Sequence, residues 1–546
     1  MFALAILIGI YSYVIFSLGL LGLLYKNYIA IATLSFIFIT IFYFRNSGFT
    51  FQGISLIRDI PLHKLRELIL TRKHSLKFLI LILIFLQALV NFIGVLGPEL
   101  SFDSLWYHLT LPKLYLLNHS VFHIPGGLLY YSDMPKLTEM LYVAALAVGS
   151  ENLAKFIHFS FGILTSIAIF KLSRKFFSSF ISLIAVLIFY SNLVVGWEST
   201  ASFVDLSRSF FEVLSLWAFI NWVEKKEIKW LIESAVMLGL AITAKLLAVS
   251  SISIFLFITI LILLKRKKSF KEIFLNSILY LLITILIPLP WFVFSFINTG
   301  NPIHPFFTKM YDVGFQQDLI NPLRFLNDVW ILFTKSSDPV SPLYLIFLPL
   351  VFITFKKLKF EVKIIGLYSV LALIVWYIIP RTGGGRFILP YLPVFSIIIA
   401  ATFDVIKVKE FKKILLIIII FVSIISIIYR GTANKKYLSV VSGRETKEQF
   451  LSENLNFSYG DFYDIDGYFK THIKTTDKVL LFGFHNLYYI DFPFIDSSWV
   501  RNGDKFNYIA VQDSEIPQIY KSWDLIYTNP KTHVKLYSMK GRIWVY

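Results

Sequence analysis

Long apolar runs separated by short polar stretches dominate the chain as far as Tyr429. The hydrocarbon core of a bilayer is crossed by roughly 20 apolar residues of helix, and most of these runs approach that length. The pattern therefore predicts a polytopic all-α membrane protein with about thirteen transmembrane helices. The predicted spans are Phe2 to Leu24, Tyr28 to Phe44, Phe78 to Gly97, Ala154 to Leu172, Phe177 to Val195, Val204 to Val223, Trp230 to Ala248, Val249 to Leu264, Ile273 to Ile297, Pro342 to Phe355, Ile364 to Ile379, Phe387 to Phe403 and Ile414 to Tyr429.

Composition agrees with this pattern and excludes a soluble globular enzyme. Of the 546 residues, 57% are hydrophobic and 16% are charged, and the mean hydropathy is +0.70. Soluble domains typically carry about 25% charged residues. The chain has no cysteine, which excludes disulfides, thiolate nucleophiles and thiolate metal sites. Any chemistry must therefore use carboxylates, histidines or lysines.

The formal net charge of +18 indicates membrane orientation rather than nucleic-acid binding. Lysines and arginines lie mostly in short clusters between apolar runs, where they set topology. These clusters share one side of the membrane only if the short stretch from Leu137 to Val148 does not cross. With that assignment, the amino terminus is cytoplasmic, and the loops from Pro98 to Lys136 and from Asn298 to Ser341 are outside. The first run has no basic flank or cleavage site, so we interpret it as a retained helix.

A change in composition after Tyr429 predicts a second domain. Apolar runs shorten there to strand length, and charged residues, Asn and Gly increase. We predict a transmembrane domain over residues 1–429, with an extra amino-terminal hairpin (1–77) and a core (78–429), and a soluble extracytoplasmic α/β domain over 430–546. Buried strands are expected at Lys478-Val-Leu-Leu-Phe-Gly and Tyr508-Ile-Ala-Val, and a terminal β-hairpin is expected to turn at Met539 to Gly541. No glycine-rich phosphate loop occurs in the sequence, which argues against an ATP-driven pump.

The first outside loop contains the most informative polar segment. Asp103 follows the third predicted span, so its carboxylate lies where a lipid phosphate head group would lie. In a helix, Asp103 and Tyr107 would share a face, with His108 beside them. A carboxylate there can accept a proton while the imidazole or phenol positions a substrate. Alternatively, Asp103 caps a short interfacial helix, and Trp106 and Tyr107 belong to the aromatic belt of the membrane.

A second acidic cluster is predicted on the same side. Glu198 lies in a loop, and Asp205 and Arg208 lie in the first turns of the next predicted span. Ionisable groups at the edge of the hydrocarbon are costly and often functional. The alternative is a local Asp205–Arg208 pair that neutralises itself. Lys245 lies near the outer end of its span and could simply extend to the membrane surface.

Two further outside segments carry basic side chains. A rigid Gly-Asn-Pro turn presents His304, and a triple glycine at the start of a late span lies between Arg381 and Arg386. Arginine binds phosphate oxygens bidentately, and a helix start can help to hold an anion. Arginines outside oppose the positive-inside trend, which favours a functional interpretation over orientation. The polar segments together predict a site for a charged, lipid-linked substrate.

The order of several motifs resembles that of the polytopic membrane glycosyltransferases with the GT-C fold, in particular bacterial relatives of protein O-mannosyltransferases and of the lipid A aminoarabinose transferase. The likeness covers roughly Phe78 to Tyr429. The resemblance rests on the order of the motifs and on their predicted location on the same side of the membrane, rather than on any single motif. The matching segments are Phe102-Asp-Ser-Leu-Trp-Tyr-His-Leu, Met134-Pro-Lys-Leu-Thr-Glu-Met-Leu, Phe203-Val-Asp-Leu, Gly239-Leu-Ala-Ile-Thr-Ala-Lys, the Gly-Asn-Pro turn at Gly300 and Gly385-Arg-Phe-Ile-Leu-Pro-Tyr-Leu-Pro.

This resemblance implies transfer of a sugar from a polyprenyl-phosphate donor to a lipid, glycan or protein acceptor at the outer face. By position, Asp103 would be the catalytic base or would orient the acceptor, and Asp205 would be the second acidic residue. Lys245 and Arg386 would bind the donor phosphate. Ser104 stands where the best-known relatives carry a second acidic residue, so Glu198 or Asp133 would supply that carboxylate, or none is needed. The further candidates for substrate binding are Tyr107, His108, Glu198, His304 and Arg381.

The sequence indicates no cofactor with certainty. Outward carboxylates could bind a divalent metal through oxygen, but the sequence has no dense ligand cluster, and we favour a metal-free site. A transporter or flippase for lipid-linked sugars is the main alternative function, and it predicts ionisable residues deep in the spans and two similar halves. A scaffold protein would explain the C-terminal domain but not the segment from Arg381 to Arg386.

Overall fold

The computed structural model describes residues 1–46, 72–308, 321–334, 339–378, 384–539 and 544–546. Helices form nearly all regular structure as far as Asn434, and strands occur after that point. The predicted class, a helical membrane protein with a small strand-containing C-terminal region, is confirmed. The helices are α1 (Phe2–Leu20), α2 (Lys26–Asn46), α3 (Arg72–Leu96), α4 (Thr110–Leu117), α5 (Leu137–Ala147), α6 (Glu151–Ser173), α7 (Ser179–Tyr190), α8 (Leu193–Glu198), α9 (Asp205–Lys225), α10 (Ile228–Ala244), α11 (Ser251–Lys265), α12 (Phe270–Leu286), α13 (Leu289–Thr299), α14 (Pro322–Thr334), α15 (Leu343–Thr354), α16 (Phe360–Ile378), α17 (Gly384–Ile388), α18 (Leu392–Val405), α19 (Lys409–Asn434), α20 (Tyr437–Val441), α21 (Lys447–Asn454) and α22 (Tyr468–His472).

Each of the predicted apolar runs overlaps one of these helices or an adjacent pair. Within the described ranges, eight helices are long and apolar enough to cross a membrane, or nine if α12 and α13 count as one span. These two helices meet at a 65° bend. Pro288 and Pro290 lie at the bend and lack the N–H that would continue the hydrogen-bond ladder. The chain is a multi-pass membrane protein, while the count of thirteen spans and the side of each terminus stay predictions.

Helix α9 lies at the centre of the bundle. It packs against α6, α10 and the short turn Leu389–Tyr391, and nearly all of its side chains are buried, including Asp205, Arg208 and Glu212. A helix surrounded by protein can keep polar side chains that a lipid-facing helix could not, because neighbouring helices supply partners. The polar face of α9 therefore points to a site inside the bundle.

The C-terminal region contains a five-stranded mixed sheet in the order β2-β1-β4-β6-β5 and a separate pair, β3-β7. The two strands expected from sequence are confirmed as β1 and β4, but the terminal hairpin is wrong. Strand β6 has β4 on one side and β5 on the other, so neither of its edges is left for β7. The strands are β1 (Val479–Phe482), β2 (Phe494–Asp496), β3 (Lys505–Phe506), β4 (Tyr508–Gln512), β5 (Asp524–Asn529), β6 (Val534–Ser538) and β7 (Trp544–Val545).

The segment that follows β1 docks on the chain between α3 and α4 and on α4 itself. The ammonium group of Lys113 donates to the carbonyl oxygens of Tyr488 and Ile490, both at 2.7 Å, and to the carboxylate of Asp491 at 2.8 Å. The amide of Tyr488 donates to the carbonyl of Leu105 at 3.3 Å. These contacts fix the C-terminal region against the helical part. Helix α19 continues past residue 429 to Asn434. The domain boundary at residue 429 stays a prediction.

Candidate active site

A cavity of about 400 Å³ lies where the segment between α3 and α5 covers the ends of α9, α10 and α17. Its walls combine charged and aromatic side chains, which is typical of a site that orients a polar ligand. Five sequence candidates line it: Asp103, Tyr107, His108, Lys245 and Arg386. The other lining residues include Tyr130, Tyr131, Lys136, Glu139, Phe306 and Phe387.

Arg386 joins the two predicted acidic sites. Its Nη1 lies 2.5 Å from Oδ2 of Asp103, and its Nε lies 3.0 Å from Oδ2 of Asp205. The same Nε lies 3.2 Å from Oε1 of Glu198, and the guanidinium carbon lies 4.0 Å from the ring centre of Phe203. Because several carboxylates surround one guanidinium group, its N–H groups contact acceptors in more than one direction.

Lys245 completes this group. Helix α10 ends at Ala244, and Lys245 adopts an extended backbone there, which directs its side chain to Asp205. The ammonium nitrogen lies 2.5 Å from Oδ1 of Asp205. Lys245 therefore does not simply extend to the membrane surface, which was the alternative considered for it. We call Asp103, Glu198, Asp205, Lys245 and Arg386 the outer cluster.

Two alternative interpretations of the acidic residues are wrong. Asp103 stands directly before the π-helical turn Ser104–His108, but its side chain makes no capping hydrogen bond and binds Arg386 instead. Asp205 does not form a local pair with Arg208. Arg208 Nε lies 2.8 Å from Glu212 Oε1, one turn further along α9, since residues four apart share a face.

Exposure differs sharply within the outer cluster. The side chain of Asp103 is 25% exposed and that of Lys245 is 14% exposed, whereas Asp205 is 1% exposed and Glu198 is 0% exposed. Burial raises the pKa of Asp103, but the charge of Arg386 acts in the opposite direction, and the net pKa lies below the usual range. Asp103 is thus an ionised carboxylate that a ligand in the cavity can reach.

Aromatic rings and a histidine form the wall beside Asp103. The hydroxyl of Tyr107 donates to Oδ2 of Asp103 at 3.1 Å, and its ring stacks on Tyr131 with centres 3.7 Å apart. His108 Nδ1 lies 2.9 Å from Oε1 of Glu139. Burial lowers the pKa of His108, although Glu139 opposes this effect. A neutral imidazole and a phenol therefore flank the carboxylate.

Several cavity residues were not recognised in the sequence as site residues, and a group of them comes from one short stretch. Tyr131, Lys136 and Glu139 all lie in the stretch before and at the start of α5. Lys136 donates to the carbonyl oxygens of Tyr131 and Met134, and burial lowers its pKa to about 8. The available signal was the charged pair, Lys136 and Glu139, at the beginning of an apolar helix.

Among the described candidates, Asp205, Glu198 and His304 do not line the cavity. His304 lies in the turn after α13, but Phe306 of that turn, rather than His304, lines the cavity. Arg381 lies outside the described residues. Glu198 lies behind Arg386, fully buried. In the described part of the chain, no group of three or more histidine, aspartate or glutamate side chains is arranged to hold a metal ion.

A second ionic group lies one turn deeper on α9. Arg208 donates to Glu212 and to the hydroxyl of Tyr391, each at 2.8 Å, and Glu212 also accepts from Ser251 and Tyr368, each at 3.1 Å. The side chains of Arg208 and Glu212 are 3% and 2% exposed. We call Arg208, Glu212, Ser251, Tyr368 and Tyr391 the inner cluster.

Comparison with known proteins agrees with this architecture. The family model of dolichyl-phosphate-mannose-protein mannosyltransferase matches residues 140–293, which run from α5 to α13. Comparison with curated protein sequences gave no significant match.

Similar folds occur among solved structures. ArnT from Cupriavidus metallidurans bound to undecaprenyl phosphate is 11% identical, with a TM-score of 0.59 over 84% of this chain and 97% of that one. Its apo state is 10% identical, with a TM-score of 0.56 and the same coverage. The archaeal oligosaccharyltransferase AglB from Archaeoglobus fulgidus is 12% identical over 79% of this chain and 69% of that one, but its TM-score of 0.48 supports no argument. The described helices thus adopt the GT-C fold of membrane glycosyltransferases, as the sequence motifs predicted.

Proposed function

We propose that this protein is a membrane glycosyltransferase that moves a sugar from a polyprenyl-phosphate-linked donor to an acceptor at the extracytoplasmic face. The observation that carries the proposal is the outer cluster, in which Arg386 joins Asp103 and Asp205 beside Lys245 at the wall of one cavity. The family match and a neighbour bound to undecaprenyl phosphate support a lipid-phosphate donor. The predicted orientation supports placement of the cavity and the C-terminal domain outside.

Lys245 and Arg386 are the proposed ligands of the donor phosphate. Both line the cavity, and both are already held by carboxylates, so a phosphate can take the place of one carboxylate contact. Two cations beside the phosphate would stabilise the negative charge that develops as the sugar departs. Tyr107 and His108 are proposed to orient the sugar. His304 and Arg381 remain proposed substrate-binding residues.

Asp103 is the proposed catalytic base. The acceptor hydroxyl oxygen attacks the anomeric carbon, the bond from that carbon to the phosphate oxygen breaks, and the hydroxyl proton passes to Asp103. The products are the glycosylated acceptor and free polyprenyl phosphate. When a donor phosphate draws Arg386 towards itself, Asp103 loses part of its counter-charge, and burial then raises its pKa. Donor binding would thus make Asp103 a stronger base when one is needed.

The inner cluster is the observation that bears on the flippase alternative. Arg208 and Glu212 are ionisable residues inside the bundle, as a translocation path would need. They neutralise each other, however, and their remaining contacts are with protein hydroxyl groups. The inner cluster therefore supports a structural role better than a path for charged lipid.

Transfer of radiolabelled sugar from a panel of polyprenyl-phosphate sugars to endogenous membrane acceptors tests the proposal. Wild type is compared with Asp103→Asn and with the matched control Asp513→Asn, which changes an exposed carboxylate of the C-terminal domain. Transfer in wild type and in the control, with loss in Asp103→Asn, is the expected result. No transfer from any donor, with labelled lipid still moving between leaflets, would instead favour the flippase.

A further inference from the structure

Two of the carboxylates that bind Arg386, Asp103 and Asp205, lie far apart in the chain. Asp103 follows α3, and Asp205 begins α9 after the loop from Ser199 to Val204. Neither residue is flanked by a long helix on both its N-terminal and its C-terminal side. Their separation therefore depends on contacts between the two loops.

Glu99 makes such a contact. Its side chain is 1% exposed. Oε1 accepts hydrogen bonds from the amides of Leu100 and Ser101, both at 2.9 Å, and Oε2 accepts one from the amide of Ser202 at 2.7 Å. One buried carboxylate thus binds the backbone of the loop that carries Asp103 and the backbone of the loop that leads to Asp205. Hydrogen bonds to a charged acceptor are stronger than neutral ones.

His158 of α6 holds the second loop from its other side. Its Nε2 accepts the amide hydrogen of Leu206 at 3.1 Å, while Nδ1 lies 2.9 Å from the carbonyl oxygens of Glu198 and Ala201. Since Nε2 accepts, the proton is on Nδ1, and the ring is neutral in this arrangement. Asp205 therefore lies between two fixed points, Ser202 and Leu206.

Ser101 and Ser202, whose amides donate to Glu99, are close in the chain to Asp103 and Asp205 respectively. Asp103 follows Ser101 by two residues, and Asp205 follows Ser202 by three, so the backbone between them spans at most about 7 and 11 Å. A displacement of either loop at these residues therefore displaces the nearby carboxylate by almost the same distance. Misplacement of a catalytic group by about 1 Å can cost on the order of 100-fold in rate.

We propose that Glu99 is a positioning residue that sets the distance between Asp103 and Asp205, so that both can bind the guanidinium of Arg386. Glu99 touches neither the cavity nor Arg386 and acts through the two loops. The kinetic part of this inference rests on the proposed function, whereas the structural part does not.

Amide hydrogen exchange of the full chain in detergent tests the structural part. In Glu99→Ala, the amide of Ser202 loses its acceptor, and peptides covering residues 199–206 should exchange about tenfold faster or more. Peptides from the middle of α9 should keep wild-type exchange. Glu99→Gln retains one acceptor oxygen and the side-chain volume, so it should fold even if Glu99→Ala does not, with exchange between the two. The matched control is Glu227→Gln, an exposed glutamate beyond the opposite end of α9.

Kinetics with whichever polyprenyl-phosphate sugar is active in wild type tests the second part. We expect kcat to fall about 10- to 100-fold in Glu99→Ala. The donor KM and the affinity for undecaprenyl phosphate should change less than about threefold, because Lys245 and Arg386 remain present. Glu99→Gln should recover part of kcat, and Glu227→Gln should match wild type.

Two results would overturn the inference. One is unchanged exchange over residues 199–206 in both Glu99 variants. The other is a wild-type kcat in a Glu99→Ala protein whose exchange has increased. If wild type transfers no sugar at all, the proposed function fails, yet the exchange experiment still decides whether Glu99 holds the two loops together.

Discussion

The outer and inner clusters begin on the same helix, one turn apart, but they are built for different purposes. In the outer cluster, Asp103, Lys245 and Arg386 are 25%, 14% and 10% exposed and line a cavity. In the inner cluster, Arg208 and Glu212 are almost fully buried, and their partners are protein hydroxyls. An ionic group that remains open to a cavity can exchange a protein partner for a substrate, whereas a sealed one can only hold helices together. Burial of charge alone thus does not identify a site.

The strongest test of this contrast is Arg386→Ala. Loss of the shared guanidinium should lower kcat/KM for sugar transfer about 100- to 1,000-fold, as expected when a group that stabilises developing charge is removed. Arg386→Lys keeps the charge but not the fork, so it should lie between wild type and Arg386→Ala. Steady-state transfer with labelled donor measures the effect. Equal activity of Arg386→Ala and wild type would contradict the assignment of the outer cluster.

The inner cluster should respond in stability rather than in chemistry. Arg208→Met leaves Glu212 buried without its cation, which should cost about 3–5 kcal/mol in the free energy of unfolding. The double variant Arg208→Met/Glu212→Leu removes both charges and should regain most of that loss. Thermal unfolding in detergent reports stability, and kcat per folded molecule should stay near wild type. A fall in kcat comparable to that of Arg386→Ala would erase the distinction between the clusters.

Lys245→Met sharpens the difference within the outer cluster. Removal of one phosphate ligand should raise the donor KM about tenfold, since a charge-assisted hydrogen bond is lost, while kcat falls less. Undecaprenyl phosphate binding measured by fluorescence or calorimetry should weaken by a similar factor. Lys136→Met serves as a comparison, because Lys136 lines the same cavity but bonds to backbone carbonyls.

The pH dependence of transfer reports on the Asp103–Arg386 pair. Arg386 holds the pKa of Asp103 below its usual range against the effect of burial. In wild type, Asp103 stays ionised, and kcat/KM should be insensitive to this group over about pH 5 to 8. In Arg386→Gln, the main charge that opposes the effect of burial is lost, the pKa of Asp103 rises, and the residual kcat/KM should fall as the pH drops through the raised pKa. Parallel profiles for the two proteins would count against the pair.

Removal of metal should have the smallest effect. Lys245 and Arg386 already supply counter-charges to the carboxylates of the outer cluster, so a divalent cation is not required to hold these carboxylates close together. We expect transfer after EDTA treatment to equal the untreated rate. Loss of activity that Mg²⁺ or Mn²⁺ restores would show that a donor-bound metal takes part.

Sequence reasoning identified the fold class and most of the polar residues of the site. Asp103, Asp205, Lys245 and Arg386 were recognised because polar groups stood out at the ends of apolar runs, all on one predicted side. Their pairing could not be read from the sequence, since Asp103 and Arg386 lie 283 residues apart. Glu139 was missed because a glutamate in the first turn of a helix also fits a favourable dipole position.

The errors have a similar physical origin. The alternative Asp205–Arg208 pair was based on spacing along one helix, but Asp205 binds Lys245 from outside that helix, and Arg208 binds Glu212 one turn further along it. The proposed terminal hairpin assumed that neighbours in sequence pair in space, whereas both edges of β6 are occupied by other strands. Local patterns predicted elements well and predicted long-range partners poorly.

The docking of Lys113 on Tyr488 and Ile490 has a consequence for the biogenesis of the protein. The partners of Lys113 lie 375 and 377 residues later in the chain. The loop that carries Asp103 therefore cannot reach its final contacts until that distant segment has been synthesised and has folded. During synthesis, the early helices are inserted while the loop that carries Asp103 still lacks its cover, so the site is assembled as one of the last events.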